Sequence, residues 1–94
     1  MAVVVVLTWE FSIPGCRSLK QKRTAIRSIR DRVQNRFKVS VAETALQDVP
    51  DRAEITVALV SSDGRVAQSV ADRIDRFVSE NGKALVVLSR REQV

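Results

Sequence analysis

The chain has no histidine, no tyrosine and one cysteine among its 94 residues. Without His, the commonest general base and the commonest metal ligand are both missing. Zinc sites that use His are excluded, and one thiol cannot build a Cys-only cluster. Cys16 cannot close an internal disulfide, and a lone thiol fits a reducing compartment. Neither a P-loop nor a GxGxxG run is present. No internal repeat, low-complexity run or linker interrupts the chain. The apolar stretch from Ala2 to Leu7 is too short to span a bilayer. It also lacks the basic n-region and small-residue cleavage site of a signal peptide, so the expected location is the cytoplasm, with no membrane partner.

What is present fits one small α+β domain over residues 1–94. The net charge is +5, and it is unevenly spread. From Arg17 to Lys38 there are nine Lys or Arg and one acid, Asp31, a local net of +8. The remainder carries seven bases and ten acids, a net of −3. The folded molecule is therefore expected to be electrically polarised.

Hydrophobic periodicity organises the chain. From Val3 to Ile13, Val3, Val5, Leu7, Trp9, Phe11 and Ile13 alternate onto one face, which predicts a strand. Pro14-Gly15 breaks it. Ser18-Leu19-Lys20-Gln21 matches a capping box, so a first helix starts there with Ser18 as N-cap. Leu19, Ile26, Ile29, Val33 and Phe37 form its apolar stripe. A second strand is predicted from Lys38 to Leu46 and a third from Arg52 to Ser61, joined by the Gln47–Asp51 loop. A second helix, capped at Ser62 or Asp63, would bury Val66, Val70, Ile74, Phe77 and Val78 and end at Asn81-Gly82. A fourth strand covers Lys83 to Leu88, and the polar tail Ser89 to Val94 is expected to fray. With right-handed crossovers, the order βαββαβ gives a ferredoxin-like sandwich: a four-stranded antiparallel sheet with two helices on one face.

The first helix carries the main functional signal. Lys20, Arg23, Arg27 and Arg30 line one side of its stripe, and Arg32 and Arg36 the other. Such cations suit a phosphate backbone, because each contact releases condensed counterions. Twelve of the sixteen bases are Arg, whose planar fork binds phosphate and stacks on bases. Lys22 lies close to the apolar stripe. Either its ammonium snorkels to water past the first turn, or it joins Arg17, Lys20 and Arg23 in an anion site at the helix N-terminus. The open sheet face, with Val4, Val6, Thr8, Glu10, Ala42, Thr44, Glu54, Thr56, Ala58 and Val60, has no aromatic for base stacking and two glutamates. Recognition of RNA across the sheet is therefore disfavoured, and the surface better suits a protein or a second copy. Cys16 precedes the helix among cations, but no His can serve as its base, so it reads as a structural residue. Glu43, Glu54, Asp48 and Asp51 match no acid/base or metal motif.

Two blocks also carry a family likeness. At Ile13-Pro14-Gly15, Ser18-Leu19-Lys20 and Lys22-Arg23, then at Phe37, Val39-Ser40-Val41-Ala42-Glu43, Gln47-Asp48 and Arg52-Ala53, the chain resembles the YlxP-like family of small bacterial proteins of unknown function. The resemblance covers nearly the whole length and implies a ferredoxin-like fold. Because genes of that family often neighbour translation-initiation and ribosome-maturation genes, it also implies an association with ribosomes or RNA. Of the family's recurring polar residues the chain keeps Ser18, Lys20, Lys22, Arg23, Glu43, Gln47, Asp48 and Arg52. It departs at Val49-Pro50, where many members carry a bulky hydrophobic-aromatic pair.

The resulting expectation is a non-catalytic protein that binds RNA or a ribosomal particle through Arg17, Lys20, Lys22, Arg23, Arg27 and Arg30. It reads shape and charge, and uses no cofactor or metal. The alternative is a homodimer or adaptor that uses the open sheet face.

Overall fold

Side-chain alternation decides which face of each strand is buried, and it orders the whole sheet. In a computed structural model describing residues 1–94, the elements are β1 (Val3–Ser12), α1 (Leu19–Phe37), β2 (Ser40–Ala45), β3 (Arg52–Ser61), α2 (Gly64–Ser79) and β4 (Leu85–Gln93). The strands lie in the order β2-β3-β1-β4, every neighbouring pair antiparallel. This is the ferredoxin-like arrangement. The odd-numbered residues Val5 to Ile13 and Ala53 to Leu59 face the helices and form one core with Ile26, Ile29 and Val33 of α1 and Ala67, Ala71, Ile74 and Val78 of α2. Trp9 is fully buried within it, its Nε1–H donating to Asp75 Oδ1 at 2.7 Å.

Both helices start as their caps dictate. Ser18 Oγ accepts from Gln21 N at 3.1 Å, while Gln21 Oε1 reaches back one residue further than a capping box requires, to Arg17 N. Asp63 caps α2, its Oδ1 accepting from Arg65 N and Val66 N. Lys38 ends α1 in the left-handed region at φ 56°, its N–H bonded to Gln34 O. After α2, the buried Asn81 acts as a knot. Its Nδ2 donates to the carbonyls of Val78 and Ala84, and its Oδ1 accepts from Lys83 N and Ala84 N. Gly82, at φ 75°, supplies the turn.

Two expectations are corrected. The stripe of α2 is rotated: Ala67 and Ala71 are fully buried, Val70 and Phe77 only partly, and Val66 is exposed. Small side chains let this helix lie close on the sheet, an advantage that hydrophobicity alone does not reveal. The tail Ser89–Val94 does not fray. β4 pairs with β1 from Ser12↔Leu85 to Val5↔Gln93, with Val87 the extra residue of a β-bulge, and Val94 exchanges backbone hydrogen bonds with Val4. The bulge resets the alternation, so Leu88, Arg90 and Glu92 lie on the open face while Arg91 points back to α2.

Candidate nucleic-acid interface

The cations of α1 fall into three groups by helical rotation. The first is internal. Lys22 has no exposed surface. Its Nζ donates toward the carbonyls of Leu46 (2.5 Å), Gln47 (3.2 Å), Val49 (2.9 Å) and Arg52 (3.1 Å), and it stands 3.2 Å from Glu43 Oε2. Three N–H donors are thus shared among four carbonyls, while Glu43 Oε2 faces the ammonium as a counter-charge with no hydrogen bond of its own. Lys22 therefore neither snorkels nor meets an external anion, and it is withdrawn from the nucleic-acid-binding set. Its charge is consumed in holding the β2–β3 loop against α1. Leu46 is held in the left-handed region at φ 63°, a costly conformation for a branched side chain. Its carbonyl accepts from the Lys22 ammonium, which helps to hold the residue there. Both blocks that carry the family likeness meet here, since Lys22 belongs to one and Glu43, Gln47 and Arg52 to the other.

The second group, Lys20, Arg23, Arg27 and Arg30, lies on the flank of α1 turned away from α2, with Arg17 just before the helix. Arg17, Lys20, Arg23 and Arg27 are exposed and Arg30 partly so. Only Arg30 has a carboxylate within ion-pair distance, Asp31 at 3.5 Å. The five remaining predicted residues are therefore on the surface, four on one helix and Arg17 just before it, and all but Arg30 stand outside any ion pair.

The third group lies on the opposite side of the stripe, where the sequence alone points to no role. Arg32 and Arg36 lean toward α2, where their guanidinium carbons stand 5.6 Å and 5.1 Å from the Phe77 ring centre. Arg73 and Arg76 of α2 line the same groove. In the sequence each follows an acid, in Asp72-Arg73 and Asp75-Arg76, so the run looks neutral. Helical rotation separates the signs. Asp72 pairs with Arg91 of β4 (2.7 Å) and Asp75 accepts from Trp9 Nε1 of β1, and neither acid lines the groove.

Acids elsewhere follow the same pattern. Arg52 pairs with Glu10 and Arg90 with Glu54, both on the open sheet face. Glu54 also accepts from Thr44. Glu43 and Glu54, two of the acids noted in the sequence, thus serve separate partners. Cys16 is partly buried, its thiol directed at Ser18 O.

Fold and surface together define a small βαββαβ module whose helical layer carries unneutralised positive charge. The model of the family described as "Protein of unknown function (DUF503)" matches residues 4–91, and the chain belongs to that family. It is 33% identical over 75 residues to "Uncharacterized protein YlxP" of Bacillus subtilis (strain 168), spanning 80% of this chain and 82% of that one. Among solved structures it is similar to the de novo designed protein Foldit4 (TM-score 0.61, 15% identity, 100% of this chain and 97% of that one). Similar too is protein YJCS (TM-score 0.54, 8% identity, 97% and 98%). The Bacillus subtilis protein YXEP, a dinuclear metal-binding peptidase of the M20 family, matches over 99% of this chain but 26% of its own (TM-score 0.61, 18% identity). At these identities the structural likenesses speak for the fold alone. No helix of the chain is long and apolar enough to cross a membrane.

Proposed function

We propose that the protein is a non-catalytic, cytoplasmic RNA-binding module that associates with structured RNA or a ribosomal particle through the outer flank of α1. The observation that carries this reading is the set of unpartnered cations at Arg17, Lys20, Arg23 and Arg27, with Arg30 beside them. Bases on the sheet side have acids to face, and these do not. A phosphate backbone supplies the missing counter-charge and gains from counterion release. A rigid helix that presents cations without base-reading side chains recognises shape and charge.

The test is binding to purified ribosomal subunits and structured RNA, titrated from low to near-physiological salt. Arg23→Glu with Arg27→Glu should weaken binding at least tenfold, since two attractive contacts become repulsive. The fold should be unaffected, because both side chains are solvent-exposed. Wild-type affinity in that variant would refute the reading.

The open sheet face supports a second reading, a homodimer. Val60 is 71% exposed, and Leu85 and Leu88 of the edge strand add apolar surface on the same side. The two readings use opposite faces of the sheet and are compatible.

A further inference from the structure

Between the C-terminal halves of α1 and α2 lies an open concavity of about 370 Å³. Phe37, Phe77 and Val70 line it together with Arg36, Arg73 and Arg76. The two rings meet edge to face, with centres 5.6 Å apart. Arg36 stands against both, 5.7 Å from the centre of Phe37 and 5.1 Å from that of Phe77. Arg32 borders the groove and is anchored, its Nη2 donating to Asn81 O at 2.8 Å. Glu80 is the one acid among the lining residues, and neither it nor Arg36, Arg73 or Arg76 takes part in an ion pair. Three arginines outside any ion pair therefore line a groove that also holds two aromatic rings, with Arg36 against both. Three like charges around one concavity raise the local positive potential, which an anion bound there would lower.

The chemistry specifies more than an anion. A guanidinium backed by aromatic rings loses little freedom when a flat ring stacks on its outer side, and Arg joins planar stacking to phosphate binding. Proteins hold unpaired bases in this way, on aromatic side chains or Arg planes. The groove also adjoins α1, whose far flank carries the cations already described. A helix is about 10–12 Å across, so one strand crossing it meets both flanks.

We propose that this groove is a binding site for an unpaired nucleotide of single-stranded RNA, with Arg73 and Arg76 on its phosphate and Arg36, supported by Phe77, against its base. The site rests on the RNA-binding reading and extends it from a charged helix to a second, single-strand-selective contact.

The experiment compares the wild-type chain, R73A/R76A, R36K and R23E/R27E. Each is titrated by fluorescence anisotropy with a single-stranded RNA of about 12 nucleotides and with a duplex of the same length, at several salt concentrations. R73A/R76A should lose about tenfold or more in single-strand affinity, and its salt slope should fall by about 1.4, the value for two phosphates on a single strand. Duplex affinity should change less than about twofold, since a paired base cannot enter the groove. R36K keeps the charge but not the plane, and should lose single-strand affinity at unchanged salt slope. Wild-type single-strand affinity and slope in R73A/R76A overturn the groove, whatever R23E/R27E does. If R23E/R27E binds both RNAs normally while R73A/R76A fails on the single strand, the groove stands and the outer-flank reading falls. A wild-type chain that binds neither RNA overturns both.

Discussion

Replacing Lys22 by Met tests the most unusual interaction in the molecule. Met matches the length of the aliphatic stem and favours a helix about as well as Lys. What it removes is the ammonium at the centre of four carbonyls and Glu43. Glu43 would keep its charge in a largely enclosed position, its side chain 21% exposed. Removing one partner of a buried pair costs about 3–5 kcal/mol, because the other charge is left uncompensated. A domain of this length has about 5–14 kcal/mol of total stability, so the variant should be marginal. At roughly 4–8 °C per kcal/mol, its Tm should fall by at least about 12 °C. Urea unfolding is a direct assay, since Trp9 is the sole tryptophan and is fully buried, which makes its fluorescence a reporter of the core. Glu43→Gln alone should cost less, because the ammonium keeps its four carbonyls. Added to Lys22→Met, it should restore about 1–2 kcal/mol by removing the orphaned charge. A Lys22→Met protein within about 1 kcal/mol of wild type would refute the reasoning, for it would mean that the loop carbonyls and Glu43 reach water without penalty.

Two further outcomes follow from the sheet. Ending the chain at Leu88 removes the ladder from Trp9↔Ser89 to Val5↔Gln93 and the Arg91–Asp72 pair, so urea unfolding should show a loss of roughly 3–6 kcal/mol, about one per net hydrogen bond. An unchanged unfolding midpoint would mean that the last six residues fray after all. If the open face joins two copies, Val60→Glu should convert a dimer to a monomer in sedimentation equilibrium, and a wild-type chain that is monomeric at every concentration would dismiss that reading.

Elements with strong local chemistry were legible in the sequence. Period-two alternation located β1 and β3, and Ser18 located the start of α1, because strand pleat and cap geometry depend on near neighbours. The last strand was not legible. Ser89-Arg90-Arg91-Glu92-Gln93 has no apolar alternation, and what orders it is the backbone of β1, a partner some eighty residues away. Lys22 shows the limit most clearly. Helical spacing placed it beside the apolar stripe, but its fate depended on Glu43 and on the carbonyl of Leu46 across the fold. The family likeness held that signal in coded form, pairing Lys22 with Glu43, Gln47 and Arg52, without showing that the pairing is structural. Five of the six predicted binding residues remain on the surface, and the sixth turns out to support them by fixing the loop beneath their helix.

The segregation of charge then bounds what the RNA reading requires of a measurement. The outer flank of α1 offers Lys20, Arg23, Arg27 and Arg30, the last already shared with Asp31. With Arg17 just before the helix, three to five phosphate contacts there would give a salt slope of about −2 to −3.5 on single strands. Arg73 and Arg76 would bring it to roughly −3.5 to −5. Arg52 and Arg90 on the open sheet face, and Arg91 against α2, cannot make up such a difference cheaply, because each would first have to leave its carboxylate. A slope near −2 therefore fits one flank of one helix. A slope of about −5 exceeds what the outer flank can supply and calls for the groove between the helices as well, and R73A/R76A is the variant whose slope then tells the two apart.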